Sequence, residues 1–220
     1  MLLPYLNKLN ELKIILGSQS KSRNELVTTQ VTVLWLRNWI MRGFQASLKK
    51  TLINNRLPIP QIITWYLETK RQETCKGKVK DLLDTFESSK KEWQILICGD
   101  TIVCDNGKII EKPENPVHCV EMMHGLANKT HEIYTAHVIV FNTQPEIRYE
   151  WVTKAEVTFG DISVNALEEF AKTDEPYIHS GGYELTAVSG SFIREVKGSH
   201  TAIQGLDIYE LCRNIIKGAK

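Results

Sequence analysis

Residues 95–103, ILICGDTIV, carry apolar side chains almost without interruption, so both alternating sets of the stretch are apolar. A strand that is apolar on both faces has to be covered on both faces, which places it in the interior of an α/β sheet. A turn at Asp105-Asn106-Gly107 and an apolar return through Ile109 and Ile110 predict a hairpin directly after it. Asp100 interrupts the run. It is read as the end of the buried strand, and in open α/β sheets ligands collect beyond the carboxyl ends of strands. A charged carboxylate there costs free energy unless it is paired, hydrogen-bonded or bound to a metal. Two readings stand for it, a ligand-holding aspartate and a strand-end aspartate that bonds its own turn.

The rest of the chain alternates between strand and helix signals, which predicts an α/β layer arrangement in a single domain, with helices covering a largely buried sheet. LKIILGS reads as a short strand, and Ser22-Arg23-Asn24-Glu25 behind it has capping-box spacing. Val79, Leu82, Leu83 and Phe86 share one helical face. Asn115 can cap a helix that starts at Pro116 and ends at Gly125. IYTAHVIVFN, YEWVTKAEVTFGDI and SFIREV read as strands, and a helix over 163–173 turns Val164, Leu167, Phe170 and Ala171 inward. A last helix starts at Asp207 and buries Ile208, Leu211, Ile215 and Ile216.

A formal net charge of +1 excludes a global field able to hold a polyanion or an acidic membrane, although a small anion needs only local charge. The five cysteines are scattered without metal-ligand spacing and read as reduced thiols of a cytosolic protein. No segment reaches the length of a membrane span. HEIYTAH has Thr135 where a zincin helix needs its second histidine, and the stretch reads as strand. The glycines of HSGGYELTAVSGS make no phosphate-binding motif and read as turns.

Ser18, Ser20 and Arg23 sit where a strand gives way to a helix, a place where backbone N–H groups, hydroxyls and a guanidinium suit a phosphate. Serines at helix starts are also common simply as caps. Lys112, before Pro113, is read either as a phosphate contact or as a solvated surface lysine.

Six pieces, IILGSQSKSRNELV, GDTIVCDNGKIIEKP, MMHGLANKTHEIYTA, AEVTF, EPYIHSGGYEL and GSHTAIQGLDIYEL, stand in the order and spacing of one family. Through them the chain resembles the Maf family of nucleoside triphosphate pyrophosphatases, and CKGKVKDLL resembles the family's lysine-bearing helix. The resemblance implies a mixed, elongated α/β fold like that of the inosine triphosphate pyrophosphatases, often dimeric. It implies attack of water between the α- and β-phosphates of a nucleotide, modified and non-standard ones included, and a divalent cofactor, usually magnesium. By position Asp100 matches the catalytic aspartate, which binds metal or accepts a proton from water, and Lys112 and Lys78 match phosphate-side lysines. Ser18, Ser20 and Arg23 match the phosphate loop, and Thr101 and Glu156 match polar positions of the same cleft. Neither a stable nucleic-acid partner nor a membrane is expected.

Departures are specific. Lys21 and Ser22 replace the proline and first arginine of the family's Ser-Pro-Arg-Arg. Where the family has Asp-Lys-Ala-Gly and then Gly-Ile-Gln, this chain has Ile178-His179-Ser180-Gly181 and Glu184-Leu185-Thr186. These changes leave open a relative that holds a nucleotide without hydrolysing it. Residues 28–74 do not match at all; three tryptophans and seven Lys or Arg against two acids stand where a strand and a second metal carboxylate are due. Three readings compete: a basic arm for nucleic acid or a membrane surface, a diverged core segment, and the favoured one, a compensated frameshift that resumes frame near Cys75.

Overall fold

The computed structural model describes residues 13–18, 20–30, 75–87 and 92–218. Residues 28–30 close the first helix, and the expectations placed on the remainder of 28–74 lie outside the described residues. The elements are β1 (Ile14–Leu16), α1 (Lys21–Gln30), α2 (75–87), β2 (Ile95–Asp105), β3 (Lys108–Ile110), α3 (Pro116–Leu126), β4 (Thr130–Phe141) and β5 (Gln144–Phe159). They continue with α4 (Val164–Phe170), three short 3-10 turns, β6 (Ile193–Lys197), α5 (His200–Ile203) and α6 (Ile208–Gly218). Strand pairing follows the order β1-β2-β4-β5-β6, with β3 on β2. Parallel pairing of β1 with β2 beside antiparallel β2–β3 and β5–β6 makes the sheet mixed, as the family resemblance implies. The chain divides into two compact units, one of Met1–Gly99, His137–Trp151 and Leu211–Lys220, the other of Asp100–Ala136 and Val152–Glu210.

In the first unit, Ile14, Ile15 and Leu16 lie opposite Ile95, Leu96 and Ile97, and all six are buried. Val79 and Phe86 turn the apolar face of α2 inward, and the Phe86 ring meets Trp93 at 6.0 Å. Gly17 follows β1 because nothing larger fits: a Cβ there would stand 2.5 Å from Leu82 Cδ1 and 2.7 Å from Cys98 Sγ. Its N–H donates to the Ile97 carbonyl at 2.8 Å, so the chain leaves β1 still tied to β2. The start of α1 differs from the expected capping box. The helix begins at Lys21, Ser20 Oγ accepts from Arg23 N–H at 3.4 Å, and Ser22 lies inside the helix, buried. Ser20 wins because its carbonyl also accepts from Asn24 Nδ2 at 2.9 Å, fixing the first turn from both of its oxygens.

In the second unit, β2 continues through Asp100 to Asp105, and a two-residue turn at Asn106 (φ 48°) and Gly107 (φ 79°) returns the chain as β3. Positive φ at both central residues is the hairpin geometry that Asn-Gly favours. Asn115 caps α3 through His118 N–H at 2.9 Å, as expected, but the helix runs past Gly125 to Leu126. The left-handed residue comes after the helix end, at Asn128 (φ 57°), a residue that tolerates that conformation. Ser163 caps α4; Leu167 and Phe170 are buried with Ala171, whereas Val164, expected inward, is 46% exposed in the first turn. At α6, which begins in this unit and continues into the first from Leu211, Asp207 Oδ1 accepts from Glu210 N–H at 3.3 Å, Leu211 and Ile215 are buried, and Ile208 and Ile216 are only half-buried. No helix among the described residues is long and apolar enough to cross a membrane.

The core of this unit holds one histidine. His131 Nε2 lies 2.7 Å from Tyr183 Oη, and its ring meets Phe159 and Tyr183 edge-on at 5.0 and 5.4 Å. Burial pushes His131 down from 6.5 to about 4, against a smaller opposing pull from the Asp105 carboxylate. The folded value lies below the unfolded one, so the unfolded chain takes the proton first as pH falls. Stability is therefore complete above the unfolded value and drops on the order of 3 kcal/mol as pH falls through this window. Urea unfolding at pH 7 and at pH 4.5 measures the loss, which is much smaller in a His131→Gln variant.

Candidate functional site

The candidate residues fall in both units. In the first, Ser18 Oγ is the centre of a small polar cluster: it accepts from Ser20 N–H at 3.2 Å and from Arg23 Nη1 at 3.1 Å. Arg23 is buried, so its guanidinium is held over the start of α1 rather than swinging in solvent. Lys78, one turn into α2, belongs to the same neighbourhood. Burial pushes the Cys98 thiol up to about 12, Cys75 adds to this, and the charges of Lys78 and Arg23 both pull it back. A cation on α2 and one on α1 thus act on a single point beside Gly17. Ser18, Ser20 and Arg23 are in direct contact, and the Lys78 charge reaches the same Cys98 thiol as that of Arg23. Ser22, at the position of the family's first arginine, is buried and offers no cation.

In the second unit Asp100 is half-buried and sits mid-strand, the sixth of eleven residues of β2. The expectation that it ends the strand is corrected. The strand continues beyond it through Thr101 and Ile102 to Asp105, and the β3 ladder, with Val103 opposite Ile110, holds its last three residues extended. Side chains alternate along a strand, so Asp100 and Thr101 point to opposite faces. Thr101 Oγ1 lies 3.2 Å from Thr135 Oγ1, and Thr135 donates to the Ala202 carbonyl at 2.7 Å. Lys112 is exposed and follows the end of β3 at Ile110 by two residues. Glu156 lies in register with Lys197 and has Lys197 Nζ at 3.4 Å and Lys154 Nζ at 3.8 Å. Its carboxylate is thus set among cations of the sheet. A further pair, Lys154 with Glu132, lies beside it, and Tyr134 Oη donates to Glu132 at 2.8 Å.

Two residues that the sequence marked only as departures are brought together. His179 Nε2 stands 3.1 Å from Glu184 Oε2, both side chains largely buried, while Thr186 is exposed. Their spacing of five residues carries no periodic signal, so only the turn between them reveals the pair.

Among the described residues no group of three or more His, Cys, Asp or Glu is placed to hold a metal ion. The Asp100 carboxylate is nevertheless the kind of hard oxygen donor that magnesium takes once or twice beside substrate phosphates. Asp100 is therefore the residue of this unit whose chemistry fits such an ion.

A family model described as Maf-like protein matches residues 13–217. Among curated relatives, a dTTP/UTP pyrophosphatase of Colwellia psychrerythraea is 26% identical over 198 residues, covering 90% of this chain and 84% of the relative. A dTTP/UTP pyrophosphatase of Bacillus pumilus is 27% identical over 205 residues, covering 91% and 94%. A nucleoside triphosphate pyrophosphatase of Haemophilus ducreyi is 34% identical over 115 residues, covering 52% and 57%. The match takes in the Ser18–Arg23 loop, the Lys78 helix and the Asp100 strand in one span, and on it the chain belongs to the Maf family.

Proposed function

We propose that the protein hydrolyses a nucleoside triphosphate to the monophosphate and pyrophosphate. The observation that carries this reading is the Ser18–Ser20–Arg23 cluster, a preformed donor set for phosphate oxygens, in a chain whose relatives bear pyrophosphatase names. Arg23 and Lys78 offset triphosphate charge in the first unit, and Lys112 does so in the second. Asp100 accepts the proton of the attacking water; the new bond forms at the α-phosphorus, the bond to the β-phosphate bridge breaks, and pyrophosphate leaves. Asp100 would hold a magnesium ion, which would supply charge neutralisation and polarise the phosphoryl group. Thr101 and Glu156 orient the rest of the nucleotide.

The test is pyrophosphate release from a panel of triphosphates with magnesium, beginning with dTTP and UTP because relatives carry those names, and extending to modified bases. Monophosphate and pyrophosphate in equal amounts are the expected products; no release from any member of the panel removes the reading. A second reading, a relative that holds nucleotide without turnover, draws on Ser22, buried where the family presents an arginine. It expects a triphosphate to raise the melting temperature while no pyrophosphate appears.

A further inference from the structure

The segment from Glu175 to Ile193 carries three 3-10 turns and no regular helix, yet it is held by a continuous set of polar contacts. Glu175 accepts from Val188 N–H at 3.2 Å, from Ser189 N–H at 3.0 Å and from the Ser189 hydroxyl. Ser189, fully buried, takes Glu184 N–H at 2.9 Å and lies 3.2 Å from the Glu184 carbonyl. Glu184 is therefore fixed at its backbone from the Ser189 side, and its carboxylate reaches His179 at 3.1 Å, with the two side chains only 16% and 17% exposed.

What lies between the two partners is the turn Ser180–Gly182. Gly181 (φ 76°) and Gly182 (φ 75°) are both left-handed, and Gly182 N–H donates to the His179 carbonyl at 3.0 Å. The Gly181 N–H donates outward, to the carbonyl of Glu111 at 3.1 Å. Glu111 is the residue before Lys112. Lys112 itself is exposed at the end of a segment that leaves β3 after Ile110, so the Gly181–Glu111 bond is a direct tie from the turn to that lysine's backbone. Histidine and glutamate stand where the resemblance sets lysine and glycine.

We propose that His179 and Glu184 are a positioning pair for Lys112: their contact closes the Ser180–Gly182 turn, whose Gly181 N–H fixes the Glu111–Lys112 backbone and so sets the affinity for the phosphate chain. The inference rests on the reading of Lys112 as a phosphate-binding lysine. In this role the pair acts through the backbone and not on the reacting atoms. It acts by reducing the number of positions the Lys112 backbone can take before a phosphate arrives, so its effect falls on binding more than on the chemical step.

The test uses the full chain with His179→Ala, Glu184→Gln, His179→Lys, Lys112→Ala and the double change His179→Ala with Lys112→Ala. Hydrogen exchange without nucleotide reads the tie itself, and KM and kcat for dTTP read its consequence. Expected are exchange roughly tenfold faster at the Gly181 amide and over residues 108–113 in His179→Ala and Glu184→Gln, and KM raised about tenfold with kcat within about twofold. His179→Lys, which keeps an N–H donor facing Glu184, restores both, and the double change costs little more than Lys112→Ala alone. Unchanged exchange in this segment overturns the inference, as does faster exchange spread evenly through the unit, an unchanged KM, or fully additive costs with Lys112→Ala. If the wild-type protein turns over no triphosphate, the pyrophosphatase reading falls, and the exchange experiment alone still decides whether the pair holds Lys112.

Discussion

Asp100→Asn lowers the rate of pyrophosphate release by about 10³-fold or more, with the melting temperature close to that of the wild type. The size follows from the two duties placed on one carboxylate. Removing a positioned proton acceptor alone costs roughly 10²–10⁴-fold, and the amide is also a poorer ligand for a hard cation. The small effect on stability follows from shape: asparagine is close to isosteric, and Asp100 is half-buried in a strand whose fixed register does not depend on its charge. The measurement is steady-state pyrophosphate release beside a thermal melt. A variant as active as the wild type removes Asp100 from the chemistry. A variant that is inactive because it no longer melts cooperatively shows instead that the carboxylate is structural.

Gly181→Ala destabilises the protein on the order of 4 kcal/mol. A left-handed alanine costs about 1–2 kcal/mol, and the new Cβ would stand 2.8 Å from Val103 Cγ2 and 3.1 Å from Tyr183 Cε1, which overpacks a filled region at a further 1–3 kcal/mol or so. Val103 cannot step aside, because it is buried in β2 and paired with Ile110 in β3. Denaturant unfolding gives the number. Gly77→Ala is the control: nothing lies within 4 Å of the corresponding Cβ, and alanine is the better helix former, so that change is neutral or mildly stabilising. Equal stabilities for the two variants would show that the Val103 contact relaxes freely.

Much of the architecture was legible because the signals were local. The Asn106-Gly107 hairpin, the Asn115-Pro116 helix start and the strand through Tyr134 are written in a few adjacent residues each, and the structure has them where the sequence puts them. The misjudged points depend on neighbours distant in sequence. Ser20 rather than Ser22 caps α1, since the cap is decided by which hydroxyl reaches an N–H, not by the spacing to Glu25. Asp100 was placed at a strand end because a charge looks like an ending, whereas pairing to β3 carries the strand past it. At the candidate site, the Ser18–Arg23 cluster was legible as a motif. The joint action of Arg23 and Lys78 on Cys98 was not, because about fifty residues separate the two cations and nothing local announces that they meet. The contact of His179 with Glu184 was equally hidden, each residue seeming only a loss when read alone.

The mid-strand position of Asp100 makes β2 a ruler. Three residues before it, Ile97 is locked opposite Leu16; three residues after it, Val103 is locked opposite Ile110. Between those two clamps the chain has no slack. Adding or removing one residue would turn Asp100 to the face now held by Thr101 and bring Thr101 to the other, while leaving composition and charge almost untouched. Substitutions along this stretch can be graded in effect, but a change of length cannot. The spacing between Ile97 and Val103 is therefore the quantity that any redesign of this protein has to leave alone.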